Sequence, residues 1–149
     1  MKHLHTLQHI MDKSNILQVG VKIFLKNGDG KYLLLKRSPV RYPEIKNLWD
    51  IPGGRIQPGT KLSENIRREI FEETKFQILE MPKLIFAQDI FRSDKHIVRL
   101  TFVGSISENR EPVLDDDHTD FKWITLEEMG KEKELDEFTR EVIEKFFLQ

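Results

Sequence analysis

The residues best able to do chemistry lie between Gly54 and Glu73. An α-helix turns about 100° per residue, so Glu69, Glu72 and Glu73 would share an arc of about 100°. Three carboxylates this close repel, by a few tenths of a kcal/mol per pair when exposed and by more when buried. Leu62 and Ile66 fall within about 20° of Glu73, and Glu69 lies at the edge of that apolar stripe. The acids are therefore expected partly tucked against the protein, where an anionic cluster needs a cation. Hard carboxylate oxygens suit magnesium or manganese. The plainer reading is a solvated acidic helix with Arg67 and Arg68 as partners. Glu64 and Arg68 do form a favourable i,i+4 pair.

The glycines count against the plainer reading. Gly53, Gly54 and Gly59 precede the helix and let backbone approach a ligand closely. A loop feeding a helix N-terminus is also where phosphate tends to bind. Such glycines are ordinary turns on their own. Joined to an acidic helix face, they describe one pocket for phosphate, metal and carboxylates.

This segment resembles the Nudix box, which reads Gly, five residues, Glu, seven residues, then Arg-Glu-U-x-Glu-Glu-x-Gly-U, with U apolar. Gly54, Arg68, Glu69, Ile70, Glu72, Glu73 and Phe76 stand at the required spacing. The upstream run Trp49 to Gly53 resembles the usual approach to the box. The order of strands and helices across residues 16–148 is similar too. Two positions depart: Thr60 replaces the first glutamate and Lys75 the late glycine. In the family that glutamate mainly steadies the loop, often through the box arginine. Thr60 could instead cap the helix, a role that suits threonine. Lys75 stands where glycine would relieve a left-handed helix end.

The resemblance implies an α/β fold, the Nudix α/β/α sandwich with a mixed sheet between helices. It implies metal-dependent hydrolysis of a phosphoanhydride bond in a nucleoside diphosphate linked to another moiety. Glu69, Glu72 and Glu73 would hold Mg²⁺ or Mn²⁺, joined by the carbonyl of Gly53. Arg68 would orient the glutamates. Many members supply a further acid from a loop six residues before a tryptophan. Asp117 holds that spacing to Trp123, within the run Asp115 to Asp120, whose plainer reading is a charged surface loop. The catalytic set is therefore Glu69, Glu72, Arg68 and Asp117. Arg37, Lys36, Arg55 and Gly54 are candidates for phosphate contacts. Tyr42 and Phe91 are candidates for stacking on a base, although an aromatic is more often packing.

A nucleoside triphosphate is the first expected substrate, because the domain is minimal, and nucleotide sugars come next. The proline typical of ADP-ribose-cleaving members and the tyrosine usual in dinucleoside-polyphosphate hydrolases are missing. The isomerase branch relies on a cysteine. The rival from another class is a regulatory module that binds a nucleotide without turnover, and lost carboxylates would mark it.

These residues need a scaffold. Val19, Val21, Ile23 and Leu25 alternate as in a strand with one buried face. Asn27 to Gly30 signals a turn, and Lys31 to Arg37 the returning strand of a hairpin. Pro39 and Pro43 mark a loop over residues 38–47. A helix is expected from about Lys61 to Lys75, capped by Thr60 or Ser63. Apolar segments follow at Phe76 to Met81 and Leu84 to Arg92, then strands at His96 to Ile106 and Phe121 to Ile124. Thr125 to Glu128 has the capping-box pattern. Leu135, Phe138, Val142 and Phe146 give a last helix its apolar stripe. Strands first, then helix, strands and helix, suggest a mixed sheet packed between helices.

Residues 1–15 carry Leu4, Leu7, Ile10 and Met11 at helical spacing and read as an N-terminal helical arm before a domain spanning 16–149. His3, His5 and His9 lack a carboxylate or cysteine companion for a metal. The chain has 149 residues, 38% hydrophobic, which suits one domain with one core. Its 24 basic residues against 25 acidic argue against broad binding to a nucleic-acid polymer. The absence of cysteine removes disulfides, thiolate metal sites and a thiol nucleophile. No apolar run approaches the roughly 20 residues of a membrane span, and no signal-peptide core is evident. The expected setting is the cytoplasm, with a small-molecule nucleotide as partner. A homodimer is compatible with the sequence.

Overall fold

Alternating apolar residues build the first strand, β1 (Ile16–Lys26). Val21, Ile23 and Leu25 are buried on one face and Phe24 on the other. The turn signal is realised as a hairpin. The Asn27 side chain accepts the N–H groups of Asp29 and Lys31, each at 3.0 Å. Gly30 takes a positive φ of 76°. The chain returns as β2 (Tyr32–Arg37). This computed structural model describes residues 16–148, so the expected N-terminal arm and its histidines lie outside the described residues.

The order continues with β3 (Trp49–Asp50), β4 (Gly53–Arg55), α1 (Leu62–Thr74), β5 (Lys83–Phe91), β6 (Lys95–Ser105) and β7 (His118–Ile124). Two short helices follow, α2 (Leu126–Gly130) and α3 (Glu137–Val142), and α3 runs on into a π-helical turn over Ile143–Phe147. The central sheet order is β3-β2-β1-β6-β5, with β4 pairing β1 and β7 pairing β2. β1 and β6 run parallel along their whole length, from Ile16↔Lys95 to Lys26↔Ser105. The other pairings are antiparallel, so the sheet is mixed.

Each face of the sheet has its own apolar layer. Val21, Ile23, Leu25, Leu33 and Leu35 pack against Ile66 and Ile70 of α1. Phe24, Leu34, Trp49 and Ile51 pack against Met129, Leu135, Val142 and Ile143. The architecture is the expected α/β/α sandwich. No helix among the described residues is long and apolar enough to cross a membrane.

Two local expectations need correction. Neither Thr60 nor Ser63 caps α1: Lys61 is the N-cap, without a side-chain bond. The apolar segment Phe76 to Met81 forms neither helix nor strand. It follows a left-handed residue and precedes Pro82, and it buries only Phe76 and Ile78. In the last helix Phe147, not Phe146, joins the core, with its ring 4.9 Å from that of Phe24. A π turn adds a residue per repeat and rotates the later side chains by about one position. Phe146 is left 44% exposed. The capping box at Thr125 and Glu128 forms with both of its arms.

Candidate active site

The site forms where β4 meets α1. β4 pairs with β1 at Lys22↔Gly53, Val21↔Gly54 and Gly20↔Arg55. Gly53 has φ 143°, and a Cβ there would lie 2.0 Å from the carbonyl oxygen of Val21. Only glycine fits that position. A Cβ on Gly54 would lie 2.6 Å from Oε2 of Glu69. The Glu69 carboxylate therefore rests against bare backbone.

Glu73 is 6% exposed, and its Oε2 accepts the Gly53 N–H at 3.0 Å. Burial pushes its carboxyl up to about 8, with Glu69 and Asp115 adding to the rise; Lys22 and the Gly53 N–H oppose it. Glu69 pairs with Arg68 at 2.9 Å, and Glu72 reaches the same guanidinium at 3.8 Å from a more exposed position. Glu69 and Glu72 thus share Arg68, while Glu73 takes a backbone N–H. Among the described residues, no three acids or histidines close into a preformed metal cage. The donors nonetheless fit a divalent cation: all are hard oxygens, and one is the buried Glu73 carboxyl, which makes no direct ion pair among the described residues.

Arg68 lies beside two of these acids and also reaches the loop before the helix. It bonds Glu69, the Asn65 side chain at 2.8 Å and the Arg55 carbonyl at 3.3 Å. Asn65 is fully buried, accepts the Gln57 N–H at 3.0 Å and donates to the carbonyls of Thr60 and Lys61. This amide braces the loop between Gly54 and α1. Sequence reasoning missed it, although an asparagine inside a helix is a poor helix former and signals a side-chain bond to backbone.

The aspartate loop divides its labour. Asp117 bonds Arg41 at 2.9 Å and is half-buried, and the exposed Asp116 is 3.8 Å from the same arginine. Asp115 bonds His118 at 2.7 Å and is the acid of this loop that Glu73 senses. Arg37 is committed to Asp50 at 3.1 Å and lies over the Tyr42 ring. Burial depresses the Arg55 guanidinium, with Arg92 and then Arg37 pushing the same way. Arg55 is thus within electrostatic reach of Arg92 and Arg37, and Arg92 was not foreseen. Lys36 pairs in register with Trp49 of β3. Phe91 stacks on His96 at 4.6 Å rather than standing free.

The model of the NUDIX domain matches residues 16–146. The chain belongs to the Nudix family. The nucleoside triphosphatase NudI of Escherichia coli is 32% identical over 115 residues, covering 70% of this chain and 80% of that protein. A Bacillus subtilis protein whose name includes 8-oxo-dGTP diphosphatase is 30% identical over 107 residues, covering 71% of this chain and 65% of that protein. The crystal structure of a MutT protein from Methanosarcina mazei Go1 superposes with a TM-score of 0.77 at 25% identity, covering 91% of this chain and 96% of that one. This Nudix chain is an enzyme of the class that hydrolyses phosphorus anhydrides, and its family generally works with a divalent metal.

The two departures from the Nudix box now have structural readings. Thr60 contributes its carbonyl, and Asn65 with Arg68 holds the loop that the usual glutamate would steady. Lys75 keeps the left-handed turn of the usual glycine, at φ 63° and ψ 11°. A non-glycine residue there costs about 1–2 kcal/mol. Glycine would regain that but lose unfolded-state restriction of about 0.4–1 kcal/mol. Lys75→Gly should therefore raise the melting temperature slightly, by about 1–3 °C. A lower melting temperature would show that the Lys75 contact over the Phe71 ring is worth more than the strain.

Gly54→Ala tests the seat of Glu69. The φ of Gly54 is not positive, so alanine costs little in the backbone. The new methyl would displace the Glu69 carboxylate instead. Turnover should fall about 10- to 100-fold with only a small loss of thermal stability. Wild-type turnover in this variant would show that the position of Glu69 does not matter.

Proposed function

We propose that this Nudix enzyme hydrolyses a phosphoanhydride bond of a nucleoside triphosphate, with Mg²⁺ as its metal and Mn²⁺ as a substitute. The carrying observation is the convergence of a buried Glu73 and a Glu69 laid on bare glycine backbone, beside Arg68. The names of the relatives from Escherichia coli and Bacillus subtilis favour the triphosphate over a nucleotide sugar.

Glu69, Glu72 and Glu73, with the Gly53 carbonyl, are the metal's holders. When bound, the metal neutralises phosphate charge and lowers the pKa of water. Arg68 sets the angle of Glu69 and Glu72 and binds the loop to the helix. Arg37 and Arg55 meet the phosphates, and the bare Gly54 leaves them room. The attacking water gives its proton to an acid as the phosphorus–oxygen bond to the departing group breaks. Glu69, Glu72 and Asp117 are the candidates for that acid, and Asp115 joins them through its closeness to Glu73. A small-molecule substrate and a cytoplasmic setting belong to the same reading.

The test is a panel of nucleoside triphosphates and nucleotide sugars incubated with Mg²⁺, with products separated by chromatography. Conversion of a triphosphate to a monophosphate and pyrophosphate is the expected result. Tight binding of one nucleotide with turnover of none would replace the enzyme with a binding module.

A further inference from the structure

β1 is apolar at its centre except for Lys22, which sits between Val21 and Ile23, both 1% exposed. An ammonium in a central strand must be paired. The Lys22 ammonium pairs with Asp50, itself only 2% exposed, and donates to the Ile51 carbonyl at 3.2 Å, which leaves one of its three N–H groups for a further acceptor.

The two oxygens of Asp50 take different partners. Oδ1 faces inward and accepts the Ile51 N–H at 2.8 Å, the Thr139 hydroxyl at 2.5 Å and Arg99 at 3.3 Å. Arg99 is closed off by Asp136 at 2.8 Å. Oδ2 holds Lys22 at 3.0 Å and Arg37 at 3.1 Å. Two cations on one oxygen would otherwise repel each other strongly at this spacing.

The charges do not cancel. Lys22, Arg37 and Arg99 are three cations against the two carboxylates of Asp50 and Asp136. The inner pair of Arg99 and Asp136 is balanced, so the surplus lies at the outer end, on Lys22 and Arg37. Both keep some exposure there, at 14% and 20% of the side chain. Lys22 is the cross-strand neighbour of Gly53, whose N–H holds Glu73. The surplus positive charge therefore borders the acid cluster.

We infer that Lys22 and Arg37 form a paired phosphate clamp, and that Asp50 is the positioning residue that holds them together. The clamp rests on the hydrolytic reading above and adds Lys22 as a substrate contact. Asp50 acts through the two cations and touches no substrate itself. Its inner oxygen fixes it to β6 and α3, so the pair is presented from a rigid base.

The experiment uses the full chain at saturating Mg²⁺ and compares wild type with Lys22→Met, Lys22→Arg and Asp50→Asn. Three readouts are taken: KM and kcat on the best triphosphate of the panel, the Kd of inorganic tripolyphosphate by calorimetry, and the thermal melt. Methionine keeps the length of lysine and removes its charge. Lys22→Met should raise KM and the tripolyphosphate Kd by about 10- to 100-fold, with a much smaller change in kcat. Lys22→Arg should recover most of that loss. A folded Asp50→Asn should lose at least as much, because both cations are loosened. If Asp50→Asn does not fold, the two Lys22 variants carry the test. Wild-type KM and Kd in Lys22→Met would overturn the clamp. So would a variant in which only the melt or the Mg²⁺ requirement changes, since Lys22 would then serve the core or the acid cluster. If wild type turns over no triphosphate yet tripolyphosphate binding still depends on Lys22, the hydrolytic reading fails and the clamp stands.

Discussion

Glu73→Gln should cut turnover by about 100- to 10,000-fold while the protein stays folded. The amide matches the carboxylate in shape and can still accept the Gly53 N–H that Glu73 accepts at 3.0 Å. What it removes is the charge that a cation needs. The same variant should change the pH dependence of stability. In the fold Glu73 keeps its proton up to about pH 8, against an ordinary value of 4.5. Below the lower value both folded and unfolded chains are protonated, and the stabilising effect is fully present. Between the two values only the unfolded chain gives up its proton, so stability falls as pH rises. Melts in excess chelator should thus show wild type losing up to about 1.4 kcal/mol per pH unit in that window. Glu73→Gln should lack that decline and melt higher than wild type at pH 8. A folded Glu73→Gln with wild-type turnover would reduce the acid cluster to a relic, and parallel pH profiles would remove the buried carboxyl from the account.

Removing divalent metal should have an equally large effect. Excess chelator should lower turnover by about 1,000-fold or more, since a metal supplies several kcal/mol of charge stabilisation at a reacting phosphate. Added Mg²⁺ should restore it, and Mn²⁺ should substitute. Metal should also raise the melting temperature, because it binds the fold and not the unfolded chain. That gain should grow from pH 6 to pH 8, since binding must displace the Glu73 proton. Undiminished turnover in excess chelator would defeat the central mechanism.

The parts legible in the sequence were those whose partners are close along the chain. The hairpin at Asn27, the acid face of α1 and the capping box at Thr125 are each written within a few residues. The Gly54–Glu69 contact spans further, but the two residues belong to one spaced motif. Asp50 was not legible, because its partners include Thr139, 89 positions away, and no periodicity links them. The signal available was indirect: Lys22 and Arg99 are charges inside apolar strands and had to be matched by something. Asp117 was singled out by spacing to Trp123, yet its neighbour Asp115 lies nearer the cluster in electrostatic terms. Side-chain direction within a loop depends on local turns, which spacing does not encode. Phe146 was misassigned because a π turn alters helical arithmetic without any change in residue type.

The long parallel pairing of β1 with β6 bears on how the chain reaches this state. Its partners lie about 80 residues apart, whereas the pairings of β1 with β2 and of β5 with β6 close over short loops. The local hairpins can form in microseconds, but the sheet's centre must wait for a large loop to close. Until then β1 presents the apolar faces of Val21, Ile23, Phe24 and Leu25 with one edge unpaired. During synthesis that edge emerges several seconds before β6 does, at roughly 5–20 residues per second. The strand that later carries Lys22 beside the active site is thus also the stretch most in need of shielding while the chain is being made.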